Sequence, residues 1–131
     1  MKTYSQTTII TLHNMILQRY GGLSGIRDLN LLDAALKSGF AGFSDIEFYK
    51  LQLEKIAKIS VTLIKNHPFN DGNKRTGIAT MELLLNLNGY ELTIDDDLLY
   101  ELTIKISTGL FSEKDLTDTL SKHTQKLIIS L

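Results

Sequence analysis

Apolar residues recur at helical spacing along most of this chain. The first such stretch follows Ser5, which can cap a helix that runs to about Arg19 and stops at the pair Gly21–Gly22. The second follows Asp28, which can cap a helix from Leu29 to about Lys37. The positions expected to face the interior in these two helices are Ile9, Leu12, Ile16, Leu17, Leu32, Ala35 and Leu36.

The same pattern predicts two helices in the middle of the chain. One spans roughly Phe48 to Asn66, because Pro68 cannot continue a helix and disfavours helical backbone before it. The other begins at Asn73 and stops near Gly89. Their predicted inward positions are Leu53, Ile56, Ala57, Ser60, Leu63 and Ile64 in the first helix, and Ile78, Met81, Leu84 and Leu85 in the second.

The last third of the chain alternates one short extended segment with two more helices. Residues Tyr90 to Thr93 form the extended segment, and Asp95 caps a helix through about Ser107. Ser112 and Asp115 form a capping box for the last helix. The two carboxylates after Asp95 fit the first turn of a helix better than a cation site. The sequence therefore predicts an all-α, compact single-domain bundle over residues 1–131, without internal repeats or linkers.

Composition narrows the function classes. The 131 residues are 43% hydrophobic and 22% charged, which is typical of one globular domain. A net charge of −1 gives no basic face for nucleic acid, so we expect no direct binding of DNA or RNA. The chain lacks cysteine, a signal-peptide pattern and any apolar run near 18 residues. We therefore expect a cytoplasmic protein without a membrane segment.

Three aromatic or histidine features have simple structural interpretations. The segment Ser38 to Asp45 is a loop rich in Gly and Phe, in which we expect Phe40 and Phe43 to pack into the core. A docking flap for another protein is the alternative for this loop. His13 and His123 have no partner at metal-ligand spacing, so we interpret both as surface or packing residues.

The chemistry of the chain is concentrated between His67 and Gly77, which read H-P-F-N-D-G-N-K-R-T-G. The turn ends at Gly72, and the helix that follows presents free N–H groups and the positive end of its dipole. Lys74 and Arg75 stand at this same end, where cations cost about 0.3–1 kcal/mol each unless an anion is bound. The pattern therefore predicts a site for phosphate groups.

The other two polar residues of the stretch complete a site for phosphoryl chemistry. Asp71 is its one carboxylate, which suits Mg²⁺ because that ion takes its other oxygens from water and substrate phosphates. His67 carries an imidazole, which is the side chain most often used as a general base, and it can accept a proton from an attacking hydroxyl. Taken singly, this histidine would be an ordinary helix-end residue and the Asn-Asp-Gly turn an ordinary surface turn. Their occurrence together at one helix start favours function.

Two other motifs can be excluded. An EF-hand loop would start at Asp71, but Arg75 and Thr76 occupy its fifth and sixth positions, and the sixth requires Gly. A P-loop is excluded because the chain has no G-x-x-x-x-G-K-[ST] segment.

The stretch from His67 to Gly77 resembles the signature of the Fic/Doc superfamily, and specifically its death-on-curing (Doc) branch of bacterial toxins. Lys74 and Ile78 replace the second Gly and second Arg of the Fic pattern H-x-F-x-[DE]-G-N-G-R-x-x-R, as in the Doc version H-x-F-x-D-x-N-K-R. Gly72 is the Fic-like exception, since Doc-type members often have Ala there. Residues 21–36 are also similar to Doc-like proteins, so the resemblance extends over nearly the whole chain.

The resemblance implies a function and a role for each residue. His67 would be the general base, Asp71 would hold Mg²⁺, and Phe69 would be structural. Phosphate groups of ATP would be bound by Gly72, Asn73, Lys74 and Arg75. Arg27 would contact the phosphate or the target. The implied activity is transfer of the ATP γ-phosphate to a hydroxyl of a translation factor, elongation factor Tu by resemblance.

Two further interpretations of the same site stay open. A Fic-type nucleotidyltransferase would transfer AMP with the nucleotide reversed, and a non-enzymatic binding domain would keep the fold with a weakened site. None of the glutamates has Ser or Thr four residues upstream, so the self-inhibitory Fic motif [ST]-x-x-x-E-[GN] is missing. Inhibition is therefore expected from a small antitoxin whose disordered tail folds onto the toxin.

Overall fold

Six helices make up most of the computed structural model, which describes residues 1–128; positions 129–131 of the predicted domain lie outside the described residues. The helices are α1 (Gln6–Tyr20), α2 (Leu29–Ser38), α3 (Gln52–Asn66), α4 (Asn73–Leu87), α5 (Asp96–Ser107) and α6 (Glu113–Lys122). The prediction of a mainly helical fold is confirmed.

Four short strands accompany these helices in the described part of the chain, as two small sheets beside the mainly helical fold that was predicted. Strands β1 (Gly42–Phe43) and β2 (Ile46–Glu47) form an antiparallel hairpin between α2 and α3. Strand β3 (Tyr90–Leu92) pairs with β4 (Thr124–Lys126) after α6. The predicted extended segment at Tyr90 is therefore a strand. β4 was missed because its three residues are polar and show no alternation of apolar and polar side chains.

Helix α3 is the centre of the core. It packs against α2, α4, α5 and α6, and its residues Ile56, Ile59 and Ile64 have no solvent-exposed surface. Leu84 and Leu85 of α4 are equally buried. Burying one such side chain fully stabilises the fold by about 1.5–3 kcal/mol. Helix α3, which ends at the predicted site, is thus packed against four other helices.

The predicted helix starts are confirmed where a capping side chain identifies them. The Oγ of Ser5 accepts a hydrogen bond from the N–H of Thr8 at the start of α1. Asp28 caps α2, Asp95 caps α5, and Ser112 caps α6 in a capping box with Asp115. Because such caps act within one helical turn, they are readable from the sequence.

The predicted start of α3 near Phe48 is wrong, because α3 begins at Gln52. The N–H of Phe48 donates to the carbonyl oxygen of Ala41 at 3.0 Å, so this residue closes the base of the hairpin. At the true start, the Glu54 carboxylate accepts from the N–H of Leu51 at 2.9 Å. The apolar pattern before Gln52 therefore belongs to the hairpin and its connection.

The expectation that Phe40 and Phe43 pack into the core is also wrong. Phe40 is 42% exposed and Phe43 is 75% exposed. The hairpin is tied to α3 through the buried side chain of Lys55, which donates to the Glu47 carboxylate at 3.1 Å and to the Tyr49 carbonyl oxygen. A hairpin of this size has too few residues to bury both rings, so the ammonium of α3 fixes its base instead.

Candidate active site

The loop from His67 to Gly72 joins the end of α3 to the start of α4. His67 adopts a left-handed conformation with φ of 50°, and its side chain is exposed. Gly72 has φ of 74°, a conformation that favours glycine, immediately before the first turn of α4. The two residues with positive φ thus stand at the two ends of the loop. This places an exposed imidazole and a helix N-terminus on one short segment.

Arg27 holds the α3 end of this loop. Its Nε donates to the carbonyl oxygen of His67 at 2.7 Å, and its Nη2 donates to that of Asn66 at 2.6 Å. The main-chain N–H groups of Arg27 and Asp28 both donate to the carbonyl oxygen of Pro68. These bonds satisfy carbonyls that a helix end leaves without partners. In this conformation Arg27 positions the backbone of His67, and its predicted contact with phosphate or target stays a prediction.

Phe69 and Asn73 lock the middle of the loop. The Phe69 ring is 1% exposed, as its predicted structural role requires. The side-chain amide of Asn73 donates to the carbonyl oxygen of Phe69 and accepts from its N–H, both at 3.0 Å. Because both ends of that amide are bonded to Phe69, Asn73 can reach a phosphate here through its main-chain N–H.

Asp71 carries an ionised carboxylate beside the start of α4. Its two oxygens accept hydrogen bonds from the N–H of Leu23 at 3.1 Å and from the N–H of Gly72 at 2.9 Å. These two donors, Leu23 first, lower the pKa of Asp71 below its ordinary value. A Cβ added at Gly22 would lie 2.7 Å from the carboxylate, so this close approach also depends on a glycine.

The first turn of α4 supplies positive charge. The main-chain N–H groups of Asn73, Lys74 and Arg75 belong to the first turn, where an α-helix has no acceptors of its own. Lys74 and Arg75 are both exposed. The Arg75 guanidinium lies 4.1 Å from the centre of the Tyr20 ring, which steadies it by a cation–π interaction. The donor set of one carboxylate, N–H groups and two cations fits the phosphates of a nucleotide with one Mg²⁺.

His13 also belongs to this site, although the sequence predicted only a surface or packing role for it. Its imidazole is 1% exposed, stacks on Phe69 with ring centres 3.8 Å apart, and its Nε2 lies 2.7 Å from the carbonyl oxygen of Asp71. The interpretation as a packing residue is confirmed for His13. A polar residue four positions from both Ile9 and Leu17, within an apolar stripe, was the signal in the sequence.

An apolar groove of about 560 Å³ opens next to Lys74 and Arg75. Burial, and next the nearby Asp96, raise the pKa of Glu82 in its wall. His67 and Asp71 are not part of this groove, so it is a separate surface adjoining the site. Its apolar and aromatic lining consists of Ile16, Tyr20, Ile78, Ala79, Leu99, Tyr100 and Ile104.

Two further observations concern membrane spans and metal-ligand groups. Within residues 1–128, each helix is too short or too polar to span a bilayer. The same residues contain no group of three or more His, Asp or Glu side chains placed to hold a metal ion. A metal at this site would therefore have to share its coordination between Asp71, water and a bound ligand.

A histidine before a glycine turn, followed by Asn-Lys-Arg at the start of a helix that packs on the central helix, is the arrangement that the Fic/Doc resemblance predicts. The Fic/DOC family model matches residues 3–85, and the chain belongs to that family.

Two curated relatives specify the branch. The chain is 34% identical over 122 residues to "Protein kinase doc" of Escherichia phage P1, covering 93% of this chain and 95% of that protein. It is 37% identical over 78 residues to "Toxin Doc" of Mycolicibacterium smegmatis (strain ATCC 700084 / mc(2)155), covering 60% of each chain. The predicted membership in the death-on-curing branch is confirmed.

Proposed function

We propose that this protein is a Doc-like toxin and a protein kinase that transfers the γ-phosphate of ATP to a Ser or Thr hydroxyl of a translation factor. The observation that carries the proposal is the loop from His67 to Arg75. It combines an exposed imidazole and an ionised carboxylate with the cationic first turn of a helix. The nearly full-length similarity to a protein named a kinase supports the reaction type. Elongation factor Tu is the target that the resemblance implies.

The residues of the site divide the binding of ATP and Mg²⁺ between them. The N–H groups in the first turn of α4 would bind the phosphates, and Lys74 and Arg75 would supply positive charge. The N–H of Gly72 donates to the Asp71 carboxylate, so the part of Gly72 is to provide the turn that leads into α4. Asp71 would hold Mg²⁺ through the lone pairs that its two N–H bonds leave free. Mg²⁺ held there would supply positive charge against the negative charge that develops during transfer.

The reaction requires one proton acceptor and several fixed positive groups. A nitrogen of the His67 imidazole accepts the proton of the target hydroxyl while its oxygen forms a bond to the γ-phosphorus. The bond between that phosphorus and the bridging oxygen breaks, and the electron pair leaves with ADP. Lys74 and Arg75 stabilise the negative charge on the transferred and leaving groups. Arg27 keeps the His67 backbone in place through its carbonyl oxygen.

AMP transfer is the alternative within the same site. It would place the α-phosphate at the attacking hydroxyl, as the Fic pattern does with a second Gly and a second Arg. This chain has Lys74 and Ile78 at those two positions, and Ile78 lines the apolar groove. An isoleucine offers no donor to a phosphate, so these two residues favour transfer of the γ-phosphate.

The exposed hairpin is the candidate surface for the protein substrate. Phe43 and Ile46 face each other across β1 and β2, and both side chains are largely exposed. Both strands are edge strands of a two-stranded sheet, so each has an edge that could pair with an added strand. These features support the docking alternative for this loop now that core packing of its rings is excluded.

The groove between α1, α4 and α5 is the candidate surface for an antitoxin. Its apolar lining suits the apolar face of a helix that folds from a disordered tail. Glu82 and Asp96 on its wall would attract basic side chains of that helix, and Lys74 and Arg75 at its end would attract acidic ones. A helix placed there would lie against the phosphate-binding turn and thereby inhibit transfer.

The direct test is transfer from labelled ATP. Purified protein is incubated with Mg²⁺, a bacterial extract, and ATP labelled on either the α- or the γ-phosphate. Label on a protein from γ alone supports the kinase, and the labelled band identifies the target. Label from α alone would replace the kinase by AMP transfer. Label from neither, with a folded protein that does not bind ATP, would leave a non-enzymatic domain.

His67→Ala is the matched variant for this assay. We expect transfer to fall by about 10²–10⁴, since a positioned general base contributes that factor. ATP binding should be unchanged, because the imidazole is exposed and contributes nothing to the anion-binding turn. Isothermal titration with ATP and Mg²⁺ measures the second property. A variant that keeps full transfer would remove His67 from the mechanism.

A further inference from the structure

His13 lies behind the site and touches both of the residues that shape its metal end. The imidazole is almost completely buried on α1, and its ring is parallel to that of Phe69, with an angle of 8° between the planes. Its Nε2 is 2.7 Å from the carbonyl oxygen of Asp71. Since a carbonyl oxygen can only accept, Nε2 carries the proton and donates it.

This bond holds the main chain at Asp71, next to the bond from the N–H of Asn70 to the carbonyl oxygen of Gly25. The carboxylate of Asp71 is directed by the N–H groups of Leu23 and Gly72, but its own carbonyl oxygen is bonded to His13. On the far side of the loop, Arg27 bonds the carbonyl oxygens of Asn66 and His67. Two different side chains therefore hold the two ends of the loop.

We propose that His13 is a positioning residue for the magnesium end of the site, and that Arg27 positions the base end. The inference rests on the proposed kinase function only through the identity of the metal-binding carboxylate. The ring of His13 maintains Phe69 against α1, and its N–H maintains the backbone from which the Asp71 carboxylate projects. A loop freed from this bond would let the carboxylate move, so that holding Mg²⁺ would require ordering it first.

Substitution can separate the stacking of His13 on Phe69 from its hydrogen bond to the Asp71 carbonyl oxygen. His13→Phe keeps an aromatic ring against Phe69 but has no donor for the Asp71 carbonyl oxygen. His13→Gln loses the ring but keeps an N–H donor at nearly the same distance from the backbone. Arg27→Met is the matched control, because it releases the other end of the loop and keeps an unbranched side chain.

The readout is Mg²⁺ binding to protein saturated with a non-hydrolysable ATP analogue, followed by the amide signals of Asp71 and Gly72 in NMR spectra. For His13→Phe we expect half-saturation to need about 10- to 100-fold more Mg²⁺, the loss typical of removing a group that supports a metal ligand. His13→Gln should return close to the wild-type requirement. Arg27→Met should keep the wild-type Mg²⁺ requirement and lower kcat at every Mg²⁺ concentration.

Two results would overturn the assignment. One is a folded His13→Phe variant with the Mg²⁺ requirement of the wild type, and the other is equal Mg²⁺ weakening by Arg27→Met. Should His13→Phe not fold, the ¹⁵N shifts of wild-type His13 decide the matter. The proton must reside on Nε2, and its resonance must shift as Mg²⁺ binds; a proton on Nδ1 or an unchanged resonance contradicts the proposal.

Failure of the kinase proposal gives a different pattern. If wild-type protein binds Mg²⁺ with the analogue but transfers no γ-phosphate, and His13→Phe still weakens Mg²⁺ binding, then the positioning role stands and the reaction type is wrong. If transfer occurs and His13→Phe binds Mg²⁺ normally, the positioning role alone is wrong. If wild-type protein binds no Mg²⁺ with the analogue, both are wrong.

Discussion

Main-chain contacts determine what each polar side chain of the site is free to do. The bonds of Arg27 to carbonyl oxygens, and of Asn73 to Phe69, use polar atoms that the sequence alone would offer to a ligand. His67 and Lys74 are exposed and keep their side chains available. At the residue scale, the site therefore consists of a few side chains that are available to a ligand. Other polar side chains, already hydrogen-bonded to the main chain, hold them in place.

The Asp71 carboxylate gives a testable dependence on pH. Its pKa is lower in the folded protein than in the unfolded chain, because the N–H groups of Leu23 and Gly72 bond the ionised form. The stability that it contributes is therefore fully present above the unfolded pKa of about 3.9, and it is lost as pH falls through the folded pKa. Asp71→Asn should be less stable than wild type at pH 7.

The measurement is urea unfolding of both proteins at a series of pH values. The difference between their free energies of unfolding should shrink as pH falls below about 4, because the carboxyl of the unfolded wild-type chain is protonated before that of the folded protein. Asp115→Asn is a useful comparison, because its pKa is also lowered but by Ser112 at a helix start far along the chain from the site. A constant difference at all pH values for Asp71→Asn would show that its two N–H bonds do not favour the ionised form.

At the scale of elements, local chemistry was predictable and pairing between distant segments was not. Caps at Ser5, Asp28 and Asp95 identified helix starts because each acts on the next helical turn. The loop before α4 was predictable because Pro68 fixes its own φ and Gly72 permits the positive φ that the turn requires. Nothing local distinguishes the polar strand β4, since its partner lies more than 30 residues earlier.

The site shows the same division. His67 to Arg75 are contiguous, so the motif alone proposed their grouping. His13 approaches Asp71 across 58 positions of the chain, and Arg27 reaches Asn66 across 39. Such contacts depend on how α1 and the segment before α2 pack against the loop. The sequence itself carries no signal for that packing beyond His13, one polar residue in the apolar stripe of α1.

The crossing of α3 and α4 depends on a glycine within the motif. A Cβ added at Gly77 would lie 2.5 Å from Cγ1 of Ile64, so the two helices approach more closely than another residue allows. Gly77→Ala should lose about 1–3 kcal/mol by overpacking and regain about 1 kcal/mol of helix propensity, giving a net destabilisation. Denaturant unfolding followed by circular dichroism measures the difference.

The Gly77 prediction has an internal control in Ile64. Ile64→Ala alone should destabilise by about 2–5 kcal/mol through the cavity that it leaves. In the double variant, the new methyl group enters that cavity, so the two losses should sum to more than the loss of the double variant. Strictly additive losses would mean that the helices separate easily at Gly77, and that the glycine has another purpose.

At the scale of the whole molecule, two of the exposed apolar surfaces within residues 1–128 are the candidate surfaces for partners. One is the hairpin with Phe43 at its turn, and the other is the groove between α1, α4 and α5 with Tyr100 on its rim. They are formed by different elements, and Phe43 and Tyr100 are both at least 70% exposed. A contiguous exposed apolar patch marks a binding surface more often than a single exposed apolar residue does. The two surfaces suit two different partners, a substrate and an inhibitor.

Growth assays separate those partners. Expression of the protein alone should slow growth, and His67→Ala should abolish the effect if it arises from transfer. Tyr100→Ala should stay toxic but escape inhibition by a co-expressed antitoxin, because it removes an apolar contact from the groove and leaves the loop from His67 untouched. Phe43→Ala should do the reverse, with weaker transfer to the protein target and normal binding of the antitoxin. For each partner we expect about a 30-fold loss of affinity, as for an aromatic hot spot worth about 2 kcal/mol.

The same assays would also reveal the opposite assignment of the two surfaces. If Phe43→Ala escapes the antitoxin while Tyr100→Ala loses the target, then the groove binds the substrate and the hairpin binds the inhibitor. If both variants lose both partners, the two proteins compete for one continuous surface, and inhibition works by blocking the target. Only separate losses support a mechanism in which the antitoxin acts from the groove on the phosphate-binding turn. In that case Lys74 and Arg75, which lie at the end of the groove and at the start of α4, are the residues through which inhibition reaches the site.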